Sequence, residues 1–202
     1  MSAALSATEL KSALYRMLTG SGIDVGAAED LARAGALGAR YGLPVCTELL
    51  DGLSFQRPDA DISDNRLIWR GVVESTAALS SVDMLQAGLV KTVQANKIAV
   101  PLIASILPLV LAPELTIETQ AEGRRMTAHA GHLYMQEDSG FDGVDISVLP
   151  QVDSLPPALH TAPIYLEKPV WKAISDLAAK SYVPATAASR SSGAGAGLTD
   201  ND

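Results

Sequence analysis

IAVPLIASILPLVLAP, residues 98–113, contains no ionisable side chain and is punctuated by Pro101, Pro108 and Pro113. Removing a run this apolar from water is the largest single gain open to the chain, so the rest must be arranged to cover it. An interior proline removes a helical hydrogen bond and clashes one turn back, which argues against a single unbroken helix. Proline in a strand confines it to an edge or a bulge. The expectation is a short buried strand over 98–106, irregular at Pro101, breaking at Pro108 into about one helical turn. The run is shorter than the ~20 apolar residues that span a bilayer. It reads as core that joins two halves of the chain.

The half before it reads as helical. Ser6 and Glu9 have the spacing of a capping box, and Leu10, Ala13, Leu14, Met17 and Leu18 then recur at helical spacing until Gly20 and Gly22. Asp24 starts a second helix that runs to about Tyr41, with Gly42 as its stop. Its inner stripe is small: Ala28, Leu31, Ala32, Gly35, Gly38 and Ala39. Its three glycines read as letting a neighbouring helix come close. Pro44 opens a short third helix carrying Val45, Cys46, Leu49 and Leu50. Residues 1–53 are thus a helical layer. Residues 54–66 form a polar, Asp-rich connection; DADISD within it lacks the glycine and final glutamate of a calcium loop.

Residues 67–181 read as sheet and helices. LIWRGVV, 67–73, is a strand, and Ser80 or Ser81 starts a helix with Val82, Leu85, Leu89 and Val93 inward. Beyond the apolar run, 115–120 alternates, AEGR (121–124) is a hairpin turn, and 125–130 with 133–136 form one strand or two. SGFDG (139–143) is a turn, and 144–149 alternates again. Turns this closely spaced favour an antiparallel sheet over βαβ units. Residues 150–163 hold four prolines and read as irregular, and a last helix covers 169–180. The expected fold is α+β in one domain: an N-terminal helical layer, then a mainly antiparallel sheet backed by helices.

Composition narrows the function. Of 202 residues, 15 are basic and 23 acidic, giving a net charge of −8. Nucleic acid is therefore not an expected partner, because binding it requires clustered cations to displace counterions. With two Phe and two Trp, the core must be aliphatic. Cys46 is the single cysteine, on an apolar helical face, and reads as a buried hydrophobe. The first residues lack the basic start and apolar centre of a signal peptide, and the chain reads as cytoplasmic with no membrane partner.

The last segment, 182–202, is YVPATAASRSSGAGAGLTDND. Together with Leu5, Ser6 and Glu9 at the start and Gly42-Leu43-Pro44 after the second helix, it resembles an uncharacterised bacterial family, domain of unknown function 3726. The resemblance implies no activity, but it implies that the ending is part of the fold. Alternating Gly193, Gly195 and Gly197 can offer consecutive amides to an anion, with Arg190 in support. Asp200 and Asp202 favour instead a cation, an amine or an Arg of a neighbouring subunit. GAGAG neither follows a strand nor opens a helix, so it is not a dinucleotide loop.

The one metal-like spacing is His129-Ala-Gly-His132. On a continuous strand the two face opposite sides, but a turn at Ala130-Gly131 removes that objection. Glu137, Asp138 and Asp142 follow closely enough to add carboxylates. Arg124-Arg125 is a modest anion contact. No G-x-S-x-G nucleophile elbow occurs. Two function classes stay open. One is a non-catalytic small-molecule-binding or assembly protein of bacterial metabolism, homo-oligomeric. The other is a metal-dependent hydrolase or lyase using His129, His132 and Asp138. No cofactor is expected, the one exception being a divalent metal at those histidines.

Overall fold

A computed structural model describes residues 2–53, 58–137, 143–152 and 154–181. The fold is α+β; the described residues form six α-helices, a mainly antiparallel seven-stranded sheet and a separate two-stranded ribbon.

Local signals set the helical half. Helix α1 (Ala7–Gly20) begins with the full capping box: the Glu9 amide donates to Ser6 Oγ (3.1 Å) and the Ser6 amide to Glu9 Oε2 (2.8 Å). It buries Leu10, Leu14, Met17 and Leu18 against α2 (Val25–Arg40) and α6 (Lys168–Ala178). The glycines of α2 divide. Cβ atoms built at Gly35 and Gly38 would come within 2.7 Å of Leu14 and 2.5 Å of Ile106, so these two do permit close packing. One at Gly26 would meet nothing within 4 Å, and that glycine has no packing role. Pro44 stands at the N-cap of α3 (Val45–Asp51).

The 98–113 run corrects the strand expectation. Strand β4 (Thr92–Ile98) ends as the run starts, and Pro101–Leu111 is one helix, α5. Pro101 stands in its first turn, where the missing N–H is not needed and the fixed φ suits a helix. Pro108 falls near the end, so it removes a single late hydrogen bond; the Ala112 amide still donates to the Pro108 carbonyl (3.0 Å). Apolarity on every side marks a helix buried on every side. Indeed α5 packs on β5, β6 and β7 with one side and on α2, α3 and α4 with the other. The joining role expected of the run is therefore filled by a helix.

The region before it also differs from expectation. Helix α4 covers Ser75–Gln86, starting well before Ser80, and 92–98 is strand rather than its continuation. Gly88, at φ +68°, turns the chain out of the helix although the apolar spacing continues past it, and Leu89 is 62% exposed. Strand β3 (Arg66–Val73), α4 and β4 thus form a βαβ unit, the sheet's one parallel pair. The polar connection holds an edge strand, β2 (Asp59–Ser63), exposed throughout and held to β3 by an Asp61–Arg70 ion pair.

Strands β5 (Ile117–Ala121), β6 (Arg124–His129) and β7 (His132–Glu137) form the expected meander, and β8 (Val144–Val148) lies between β4 and β5. Glu122-Gly123 and Ala130-Gly131 turn with both central φ values positive, as the type I′ turn of a two-residue hairpin requires. Ile117, Met126, Leu133 and Ile146 face the helices. The opposite face is polar, including Glu118, Gln120, Arg125 and Thr127. The proline-rich segment after β8 crosses this face and is pinned at both ends. The Leu149 amide donates to Thr116 (2.9 Å) and the Leu159 amide to Leu133 (2.8 Å). Strand β9 (Ile164–Glu167) then pairs antiparallel with β1 (Ser2–Leu5), a ribbon with no counterpart in the sequence expectations.

Candidate functional site

Among the clefts formed by the described residues, one of about 420 Å³ lies where the end of α2, the start of α3, β9 and the first turn of α6 meet. Its geometry begins at Gly42. At φ +74°, this residue closes α2: the Leu43 amide donates to the Gly38 carbonyl (3.1 Å) and the Gly42 amide to Ala39 (3.0 Å). That pairing is the left-handed helix stop that glycine favours. The turn swings Leu43 and Pro44 out to form one wall and starts α3, which adds Cys46 and Thr47. On the other side the Ala162 amide donates to the Arg40 carbonyl, bringing β9 beside the cleft. Tyr165, Leu166 and Glu167 of β9 and Val170 of α6 complete it.

The chemistry of this lining is apolar with a few polar groups. Cys46 is 2% exposed, and burial pushes its thiol up to about 12. A thiol held protonated is neither nucleophile nor metal ligand at neutral pH. Glu167 stands at the N-cap of α6 yet makes no capping hydrogen bond, and its carboxylate is exposed. Tyr165 is 64% exposed. Successive strand residues point to opposite sides, so Tyr165 and Glu167 share one.

A second cleft, about 240 Å³, lies between the polar sheet face and the segment that crosses it. Glu118, Arg125, Tyr134 and Gln136 line it, with Glu118 Oε1 3.9 Å from Arg125 Nε. It is the smaller and more polar of the two. Binding sites for small organic molecules fall mostly between about 300 and 1,000 Å³ and are lined mainly by apolar groups. The 420 Å³ cleft fits that description and the 240 Å³ one does not. A further cleft of about 430 Å³ between α1 and α6, lined by Leu5, Ala13, Arg16 and Trp171, has the same size, but its carboxylate, Glu9, is already engaged by the Ser6 cap.

The histidines are placed by the hairpin. His129 and His132 are register partners across the Ala130-Gly131 turn, so they share a face of the sheet. They turn to different neighbours: His129 Nδ1 is 2.7 Å from Thr116 Oγ1, and the His132 ring meets Tyr134 edge-on at 6.5 Å. Glu137 ends β7 five residues beyond His132, roughly 17 Å along the strand and on the opposite face. It cannot complete a site with them. Among the described residues, no group of three His, Cys, Asp or Glu side chains is arranged to hold a metal ion. Arg124 and Arg125 begin β6, and only Arg125 lines the smaller cleft. Asp138 and Asp142 lie outside the described residues, as do Arg190, Gly193, Gly195, Gly197, Asp200 and Asp202.

Sequence reading did not single out Tyr165 or Glu167. Their strand is four residues long and pairs with residues some 160 positions earlier. The available signal was local: IYLE alternates between a proline-rich stretch and Lys168-Pro169, a helix start.

Site and fold together define an α+β protein with an amphipathic cleft at the seam between its helical layer and its ribbon. No family model matches the chain, and no curated protein matches it. Among solved structures it is similar to malate dehydrogenase from Entamoeba histolytica, at 12% identity and a TM-score of 0.42, covering 73% of this chain and 49% of that one. The chain spans about half the length of that enzyme. Among the described residues no helix is long and apolar enough to cross a membrane.

Proposed function

We propose that this chain is a non-catalytic binding protein for a small molecule, seated in the cleft between Gly42-Leu43-Pro44 and β9. A cytoplasmic place in bacterial metabolism and homo-oligomer formation belong to the same proposal. The observation that carries it is the lining: about 420 Å³ of mostly apolar wall, with the one thiol in it buried and protonated. Such a wall can hold and orient a molecule, but it has no activated nucleophile with which to attack one.

Chemical-shift mapping of the labelled chain against a mixture of small organic fragments tests it. The shifts are expected to cluster on Leu43, Thr47, Tyr165 and Val170. Shifts confined to the polar sheet face, or none at millimolar fragment, would remove the proposal.

A further inference from the structure

Building on that reading of the cleft, we infer that its ligand is a small cationic amphiphile, an amine whose ammonium lies between the Tyr165 ring and the Glu167 carboxylate while its apolar body lies along Leu43, Pro44 and Val170. Two observations lead there. Glu167 is the single charged residue in the lining, and neither an ion pair nor a side-chain hydrogen bond engages it among the described residues. Tyr165, two residues earlier on the same side of β9, is the one aromatic among the exposed large apolar side chains described. A tyrosine ring and a carboxylate two residues apart on one side of a strand can together attract an ammonium group, through the ring quadrupole and the ion pair.

Net charge points the same way. At −8 the protein repels anions at long range and draws cations towards it. An anionic head would also have to sit against Glu167 with no cation in the wall to offset it. The apolar walls, in turn, disfavour a compact inorganic cation, which has no apolar surface to bury.

Isothermal titration with hexylamine, hexanol and hexanoate separates the inference from the reading beneath it, since the three share a tail and differ only in head. Hexylamine is expected to bind at least about ten-fold more tightly than hexanoate. Glu167→Gln and Tyr165→Leu should each weaken hexylamine by roughly two- to five-fold and leave hexanol unchanged. Both positions are exposed, so neither variant threatens the fold. Should hexanoate bind as tightly as hexylamine, or should Glu167→Gln cost nothing, the amine class is wrong. The cleft would survive that result if hexanol still binds and Val170→Trp abolishes its binding. If none of the three binds, cleft and class fall together.

Discussion

Glu48 shows how a single side chain can serve an element far from it in sequence. The N-cap residue of α5, Val100, supplies no side-chain acceptor. Glu48 reaches across from α3 instead, accepting from the amides of Leu102 (3.0 Å) and Ile103 (3.2 Å). Pro101 has no N–H and the Ala104 amide already donates to the Val100 carbonyl, so Glu48 satisfies the two donors the first turn would otherwise leave open, Leu102 and Ile103. Burial nonetheless dominates and raises the carboxyl to about 7; the two amides and Arg124 pull it down, while Glu122 adds to the rise. The folded state therefore holds a proton between about 4.5 and 7 that the unfolded chain has released. Stability from this group is full below the lower value and is lost as pH rises through the upper one. Glu48→Gln keeps one acceptor oxygen and has no charge to bury. Relative to the wild type, its melting temperature should improve from pH 5 to pH 8, with a change of up to about 3 kcal/mol in the stability difference. A difference that does not move with pH would mean that Glu48 titrates as an ordinary exposed carboxylate. Ser6 and Glu9 were legible as a cap because they lie three residues apart; Glu48 was not, because its partners lie more than fifty residues away.

Among the elements, α2 provides the sharpest test of close packing. Alanine is a better helix former than glycine by about 1 kcal/mol, so substitution helps wherever a methyl group fits. At Gly26, in the first turn, it meets nothing, and Gly26→Ala should stabilise by up to ~1 kcal/mol in urea denaturation. At Gly38 the same methyl would stand 2.6 Å from Val45 Cγ1, on a stiff and fully buried side chain. Overpacking of this kind costs typically about 1–3 kcal/mol, more than the gain in propensity, so Gly38→Ala should destabilise. Equal effects at the two positions would mean that α2 and α3 are not in close contact at Gly38. Sequence alone could not separate these glycines, since both lie in the same Ala-rich helix and only their neighbours differ. The same limit governed α5. Its two prolines were visible, but a proline such as Pro101 can open a helix or interrupt a strand, depending on the conformation of the residues after it. Apolarity all round does not choose between a buried helix and a buried strand. Residues 82–93 misled differently, because Val82, Leu85, Leu89 and Val93 keep helical spacing across a turn at Gly88 that ends the helix. The meander was legible, its strands alternating and its turns marked by glycine; β9 was too short to declare itself.

At the scale of the whole molecule, α5 decides whether the helical layer and the sheet are separable. A chain of 202 residues exceeds the size at which all-or-none unfolding is the default, and an α layer beside a sheet could melt in two steps. The geometry opposes this. Ile103, Ile106 and Leu107 are fully buried in a helix clamped between both halves. If either half unfolded alone, α5 would bare the side that half covers. Burying one such side chain is worth roughly 1.5–3 kcal/mol, so exposing two or three costs on the order of 5 kcal/mol. A partly unfolded state would have to carry that penalty within a total stability of about 5–15 kcal/mol. The two tryptophans allow a direct check. Trp69 lies buried in β3 and donates to Ser81 Oγ of α4 (2.9 Å), whereas Trp171 is half-buried on α6. Trp171→Phe leaves Trp69 as the sole reporter of the sheet, while far-ultraviolet circular dichroism follows the helices. The two signals should trace one urea transition with a common midpoint. If the Trp69 signal changes at a distinctly different urea concentration, α5 belongs to one half only and does not couple them.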